Sequence, residues 1–369
     1  MADLEVVFVT PGGRTSHEWE LIAAMEGCHL TVVSHRDGWK ADREVVVRAV
    51  EPPFIDTYEA WTASPTWLRG LRHLDVGSAG VVVSQEIFSV ATHQASRLAS
   101  RIGRPHVVVV AETMADNPLY RIPPWRQIAH TSARRVDRFV CATDRARRHL
   151  VQMGVPAERC EVVHLAVDTI AFQPAPQLAN APEVLFVGML RSDRGADKGV
   201  MDIVEACRTL WEAGQRDLRL RLVGDGHLRR DLERTAVNSP FLQVCGRLPR
   251  DQIGPMMRRS RCLVLASKRT VKWEEQFGFV LVEAMASGLP VVATRSGSIP
   301  EIVPPWASLA PEGDRSELAR GIAEALGPRG AELGRRNRVF ATERYDLGRQ
   351  SRSLAFLLHR VASSARAAV

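Results

Sequence analysis

Short β-branched runs alternate with longer amphipathic stretches along all 369 residues, and this alternation restricts the possible folds more than any other feature. A run that is apolar at consecutive positions suits a strand buried on both faces. A connection with apolar residues every three or four positions suits a crossover helix, and the two in alternation build parallel sheets. In the first half, strands are predicted over 4–10, 30–34, 44–50, 80–84, 107–111, 138–142 and 161–165, with helices over 17–25, 89–101 and 125–135. In the second half, strands are predicted over 184–187, 218–223, 242–245, 262–266 and 291–294, with helices over 200–212, 254–259, 279–286 and 315–325. Between the two series, residues 168–182 carry three prolines and no apolar period, which marks a linker. The expected architecture is α/β, with two Rossmann-like doubly wound domains over 1–172 and 173–345. A last helix within 346–369 has no strand after it to cover and is expected to pack back across the crevice between the domains.

Composition narrows the class. With 45% hydrophobic and 25% charged residues, the chain resembles an ordinary soluble globular protein. No apolar run reaches the roughly 18–20 residues of a membrane span. The start, MADLEVVFVTPGG, has no basic region before its apolar run, so no secretory signal and a cytoplasmic location are expected. The six cysteines, at 28, 141, 160, 207, 245 and 262, form no CxxC or Cys/His cluster, so buried reduced thiols are expected and no zinc site.

The net charge of +7 is uneven: residues 1–170 hold 19 Lys and Arg against 20 Asp and Glu, and the remainder 30 against 22. A basic second half fits an anionic ligand such as a nucleoside diphosphate. Nucleic acid is disfavoured as a partner, because aromatics are only 6% and no basic stripe is interleaved with them. Lysine occurs only at 40, 198, 268 and 272.

The densest local signal is KWEEQFGFVLVEAMASGLPVVA, residues 272–293. Glu275 and Glu283 bracket seven residues, Gly278 lies where a loop becomes a helix, and Gly288-Leu289-Pro290 ends that helix ahead of a strand. The spacing predicts Glu275 just before the helix N-terminus and Glu283 about one and a half turns in. The N–H groups of the first turn have no intrahelical acceptors, so residues 277–280 form a ready anion site. Two carboxylates at different depths suit two sets of hydroxyls on one ligand. The plainer alternative is a terminal carboxylate favoured by the helix dipole plus a solvated glutamate. A second signal, VGMLRSDRGADKG at 187–199, sets Arg191, Arg194 and Lys198 in a loop between a strand and a helix. A departing diphosphate requires such a cationic loop, although a solvated charged loop reads the same way. Gly188, Gly224 and the Gly246-Arg247-Leu248 turn each follow a predicted strand, where backbone can come close to a base. Gly12-Gly13 permits the same after the first strand.

The motif E-x7-E within E-x-F-G-x4-E-A-M-A-x-G-x-P-V-V-A resembles family 4 of the GT-B glycosyltransferases. The resemblance implies a GT-B fold, acceptor domain first and nucleotide-sugar domain second. It also implies sugar transfer from an NDP-sugar with retention of anomeric configuration and without a metal or other cofactor. Glu283 would then bind the ribose and Glu275 the transferred sugar. Backbone around Phe277, Gly278 and Phe279 would meet sugar hydroxyls or the diphosphate, Gly12 and Gly13 would lie beside the donor phosphates, and Lys198 would neutralise the diphosphate. The chain departs from the family at Met189, where an arginine is usual, so Arg191 or Arg194 is taken as the second cation. It holds no D-x-D, the metal-binding motif of the other common glycosyltransferase fold. Many members place a histidine after the strand that here runs 107–111, where this chain has Glu112. Glu112 and Asp116 would present acid to an acceptor, Glu112 as a base or both as binding groups; His106, at the strand's other end, reads as structural.

The expected donor is a UDP- or GDP-sugar and the expected acceptor a small soluble molecule with a hydroxyl. The arginine run 134, 135, 138, 145, 147 and 148 keeps a membrane-lipid or polysaccharide acceptor as the alternative, with Asp137 and Asp144 interrupting the charge. Peripheral membrane contact is the disfavoured reading. An epimerase, or a non-catalytic NDP-sugar-binding protein, would show the same donor signals.

Overall fold

The computed structural model describes residues 3–11, 17–35, 41–47, 49–50, 66–114, 116–176, 182–193 and 196–367. The chain divides into two units, one of Met1–Ala166 with Leu347–Val369, the other of Val167–Asp346.

The first unit holds strands β1 (Leu4–Val9), β2 (Cys28–Ser34), β3 (Arg43–Val46), β4 (Ala49–Val50), β5 (Trp67–Leu68), β6 (Val81–Gln85), β7 (His106–Val110), β8 (Arg138–Cys141) and β9 (Cys160–Val162). Seven of them make one parallel sheet in the order β3-β2-β1-β6-β7-β8-β9, and β4 pairs antiparallel with β5. Where the sequence predicts one strand over 44–50, the chain makes two, because β3 stays parallel to β2 while β4 takes a new antiparallel partner. The central strands are valine-rich and buried at every position of β7, as expected when helices cover both faces. Those helices are α1 (His17–Ala23), α2 (Val90–Ile102), α3 (Trp125–Arg135) and α4 (Asp144–Gln152). The sequence reading has no α4, because charge masks its period. Only Ala146, His149 and Leu150 turn inward, at helical spacing, and Thr143 caps the helix by accepting from the Ala146 amide at 3.1 Å.

The second unit holds a six-stranded parallel sheet in the order β12-β11-β10-β13-β14-β15. Its strands are β10 (Glu183–Val187), β11 (Arg219–Val223), β12 (Leu242–Gly246), β13 (Cys262–Leu265), β14 (Val291–Thr294) and β15 (Ser308–Ala310). Its helices are α5 (Val200–Glu212), α6 (Arg229–Val237), α7 (Arg250–Arg259), α8 (Phe279–Ala286), α9 (Ile299–Ile302), α10 (Arg315–Leu326) and α11 (Gly330–Tyr345). The short β15, together with α6 and α11, is absent from the sequence reading. Helix α7 starts at Arg250 rather than 254, with Pro255 inside it.

Residues 167–172 belong with the second unit rather than the first. The Val167 amide donates to Tyr345 O at 3.0 Å, and Thr169 Oγ1 to Asp346 Oδ2 at 2.6 Å. Nη1 of Arg338, on α11, donates to the carbonyls of Thr169, Phe172 and Ala286 at 2.6–2.9 Å. The last helix, α12 (Leu347–Ala367), belongs to the first unit and packs on α1 and β6. Its inward stripe is Leu354, Leu357, Leu358 and Val361, at spacings of three and four.

Each sheet reverses its winding once, between β1 and β6 and between β10 and β13. Loops leaving the carboxyl ends of such a strand pair diverge to opposite faces and open a crevice, where ligands bind in doubly wound sheets. In the second unit the diverging loops begin at Gly188 and Ala266.

Candidate functional site

The loop after β10 doubles back on itself: Ser192 and Asp197 form an isolated bridge, and the Lys198 amide donates to Arg191 O at 3.3 Å. It is then zipped to the loop after β13, where the Lys268 amide donates to Asp197 O at 2.8 Å. This clasp delivers Lys198 to the switch point. Its Nζ donates to Glu275 Oε2 at 2.7 Å and lies 4.4 Å from the centroid of the Trp273 ring. The same carboxylate oxygen accepts from Ser267 Oγ at 2.7 Å. Glu275 is further fixed through its backbone, since its carbonyl accepts from the Ser298 amide at 2.8 Å. Both side chains are largely enclosed, 14% exposed for Lys198 and 8% for Glu275. The two residues, 77 positions apart and each marked by the sequence, thus meet as one ion pair.

Three residues on, Gly278 takes φ +75 and opens α8, with no side chain capping the helix. Positive φ favours glycine here, and a Cβ would also come within 3.2 Å of Leu281. The first turn of α8, read from the motif as an anion site, is thus left without a side-chain cap. Phe277 and Phe279 pack tilted at 48° with centroids 4.8 Å apart, and Phe277 meets Tyr345 edge-on, so the Phe277 ring serves packing. Glu283 lies on α8 with its side chain 6% exposed and accepts from Arg250 Nη1 at 3.0 Å.

The glycine turns prove tight for reasons internal to the protein. The Gly188 amide donates to Val223 O and the Gly224 amide to Gly246 O, which ties three strand ends together. A Cβ on Gly224, at φ +149, would stand 1.8 Å from Gly188 O. Arg247 is exposed and Leu248 half-buried in the next loop. Arg191 pairs with Asp193 at 2.9 Å, so its charge is partly committed within its own loop. Gly12, Gly13 and Arg194 lie outside the described residues.

In the first unit, Glu112 stands just past β7 as expected, but its carboxylate is turned inward. It is 3% exposed, accepts from the Thr113 and Met114 amides at 2.7 and 2.8 Å, and accepts from the Tyr120 hydroxyl. The carboxylate folds its own loop back on the strand. Asp116, further along, is exposed. His106 is structural: fully buried, it bonds Ser84 Oγ and Ser96 Oγ at 2.9 Å each, and burial pushes its imidazole down to about 3. Next to Glu112, Glu86 holds φ +60, the one described non-glycine residue with positive φ, and accepts from the Ala111 amide at 2.9 Å.

Sequence reasoning misses Arg250 and gives Ser267 and Trp273 no role of their own; each of the three touches a predicted residue. Among the described residues no group of three or more His, Cys, Asp or Glu is arranged to hold a metal ion. Among them also no helix is long and apolar enough to cross a membrane. All six cysteines are free thiols.

The family model for Glycosyltransferase Family 4 matches residues 11–170, and that for Glycosyl transferases group 1 matches 181–327. The chain belongs to glycosyltransferase family 4. This family 4 chain is 32% identical over 197 residues to the glycosyltransferase WcaL of Escherichia coli K12, assigned by name to colanic acid biosynthesis; the match covers 52% of this chain and 48% of that protein. It is 32% identical over 179 residues to the amylovoran biosynthesis glycosyltransferase AmsK of Erwinia amylovora, covering 46% and 42%. The chain thus matches about half the length of these relatives. Its fold is GT-B. A crystal structure of Anabaena Alr3699/HepE in complex with UDP superposes with a TM-score of 0.75 at 19% identity, over 97% of this chain and all of that one. Sucrose-phosphate synthase from Thermosynechococcus elongatus superposes with a TM-score of 0.72 at 16% identity, over 98% and all of that chain.

Proposed function

We propose that this chain transfers a sugar from a UDP- or GDP-sugar to an acceptor hydroxyl, with retention of configuration and without a metal. The observation that carries the reading is the meeting of Lys198 and Glu275 at the β10/β13 switch point, beside the uncapped start of α8. In this reading the diphosphate sits against the α8 amides and takes Lys198 as its counter-ion. Glu275, released from Lys198, accepts hydrogen bonds from the sugar hydroxyls, and Glu283 accepts from the ribose. The bond from the anomeric carbon to the diphosphate oxygen breaks as the acceptor oxygen bonds to that carbon on the same face, and the acceptor hydroxyl passes its proton to the departing diphosphate oxygen. Negative charge accumulates on the departing diphosphate, where a preorganised cation and backbone amides lower the barrier most. The UDP complex of the Anabaena structure supports a nucleotide ligand for this fold.

On the acceptor side, Glu112 holds the loop in shape, and Asp116, exposed further along, is the residue proposed to meet an acceptor. A small soluble acceptor is the first reading, on the near-neutral balance of residues 1–170. A polysaccharide or lipid acceptor is the second reading. It is favoured by relatives named for colanic acid and amylovoran biosynthesis, and by a phosphatidylinositol N-acetylglucosaminyltransferase subunit of Arabidopsis thaliana that is 25% identical over 257 residues. The test is release of free NDP from UDP- and GDP-sugars, with and without a panel of acceptors. Acceptor-dependent release supports a transferase. Sugar interconversion without an acceptor would make the protein an epimerase, and binding with no turnover a non-catalytic receptor.

A further inference from the structure

Glu283 is buried within a helix that supplies no cation to it. What faces it is Arg250, the first residue of α7, which arrives from the loop after β12 and donates through Nη1 to Oε1 at 3.0 Å. The arginine is itself propped. Its guanidinium carbon lies 5.7 Å from the centroid of the Phe172 ring, and Phe172 is 3% exposed. Phe172 is pinned by its carbonyl, which accepts from Arg338 Nη1 at 2.8 Å, and the same nitrogen donates to Ala286 O at the end of α8. Helix α7 packs closely on this support, since a Cβ on Gly254 would come within 3.0 Å of Ala171 O. Arg250, Phe172, Arg338 and α8 therefore form a closed bracket around the Glu283 carboxylate.

We infer that Arg250 is the positioning residue for ribose recognition. It engages one oxygen of Glu283 so that the carboxylate is turned in one direction and able to accept from the vicinal hydroxyls of a ribonucleoside diphosphate. This inference rests on the reading of Glu283 as the ribose-binding group. A carboxylate fixed by a guanidinium from outside accepts from neutral hydroxyls without first reorienting, so discrimination by hydroxyl number resides in the pair rather than in Glu283 alone. Arg250 itself touches no reacting atom. Its side chain is 45% exposed, and shortening it at the mouth of the helix leaves the core intact.

The experiment is calorimetric binding of UDP, 2′-deoxy-UDP, GDP and 2′-deoxy-GDP to wild type, Arg250→Leu, Arg250→Lys and Glu283→Gln, with thermal melts as a folding control. Wild type is expected to prefer the ribonucleotide of its own base by about tenfold or more, a hydrogen bond to a charged group being worth that much. Arg250→Leu is expected to weaken the ribonucleotide about tenfold and leave the deoxynucleotide almost unchanged, so that the preference collapses. Arg250→Lys, which restores a cation without the planar fork, is expected to recover part of the preference. A purely packing role would weaken both nucleotides alike and show no rescue by lysine. Full retention of the preference in Arg250→Leu, while Glu283→Gln loses it, would overturn this inference and leave the ribose reading standing. Retention in Glu283→Gln would overturn the ribose reading, and this inference with it. Failure of wild type to bind either diphosphate would overturn the donor reading itself.

Discussion

Replacing Lys198 by methionine removes a cation from a nearly enclosed carboxylate. Glu275 would keep one donor, Ser267 Oγ at 2.7 Å, and would face the Trp273 ring where the ammonium had been. Breaking a fully buried pair from one side costs about 3–5 kcal/mol. With side-chain exposures of 14% and 8% solvent reaches this pair, so about 2–3 kcal/mol is the expected loss for Lys198→Met. For a unit of this size that is a fall of roughly 4–12 °C in Tm. Glu275→Gln is expected to cost a similar amount, because it strands the ammonium against Trp273. The double variant Lys198→Met/Glu275→Gln leaves no unpaired charge, and the glutamine oxygen can still accept from Ser267. Its loss should therefore fall short of the sum of the single losses by at least about 1.5 kcal/mol. Thermal melts followed by circular dichroism, with urea titrations of the same four proteins, give the cycle. Losses that add to within about 0.5 kcal/mol would refute the argument, since they would mean that the two side chains do not feel each other in the folded chain.

His106 gives a pH dependence of definite sign. Its folded imidazole titrates near 3 against 6.5 for the free group, so the unfolded chain binds a proton that the native chain does not. Stability is complete above about pH 6.5 and is lost as pH falls towards 3; urea midpoints at pH 7 and 5 should show wild type losing about 2 kcal/mol more than His106→Asn, and equal losses would contradict it. Excess EDTA should leave NDP release unchanged, because Lys198 and the α8 amides are proposed to neutralise the diphosphate; loss on chelation with recovery in Mg²⁺ or Mn²⁺ would contradict the metal-free reading. Sedimentation with anionic liposomes at about 0.15 M salt should leave the protein in the supernatant, each basic residue near such a surface adding only about 1 kcal/mol. Salt-sensitive co-sedimentation lost in Arg134→Ser/Arg135→Ser/Arg138→Ser would establish the lipid-acceptor reading instead.

The parts of the site legible in the sequence are those whose partners lie within one helical turn or one strand end. Glu275, Gly278 and Glu283 are spaced by the geometry of a single helix entry, and strand runs such as HVVVV announce themselves by β-branching. The role of Ser267 hides because the residue lies just past a strand and acts on a residue eight positions away across an irregular loop. Arg250 hides more deeply, because its partner is 33 residues distant and only the sheet order brings the loop after β12 beside α8. The position of Lys198 against Glu275 is equally hidden, although each residue stands out in its own motif, because the clasp of Asp197 on Lys268 is a long-range backbone contact. The inward turn of Glu112 depends on Tyr120, eight residues on, folding back over it. The arginine run, contiguous in sequence, is spread by the fold over the end of α3, the strand β8 and the helix α4.

The central claim is that one carboxylate of the E-x7-E pair holds the nucleotide and the other the sugar. The most direct measurement sets NDP affinity beside NDP release for wild type, Glu275→Ala and Glu283→Ala under the same conditions. A charge-assisted hydrogen bond is worth about 1.5–3 kcal/mol, so each effect should be tenfold or more. The account predicts that Glu283→Ala loses NDP affinity, while Glu275→Ala keeps it and loses turnover. Unchanged affinity and unchanged turnover in both variants would contradict it.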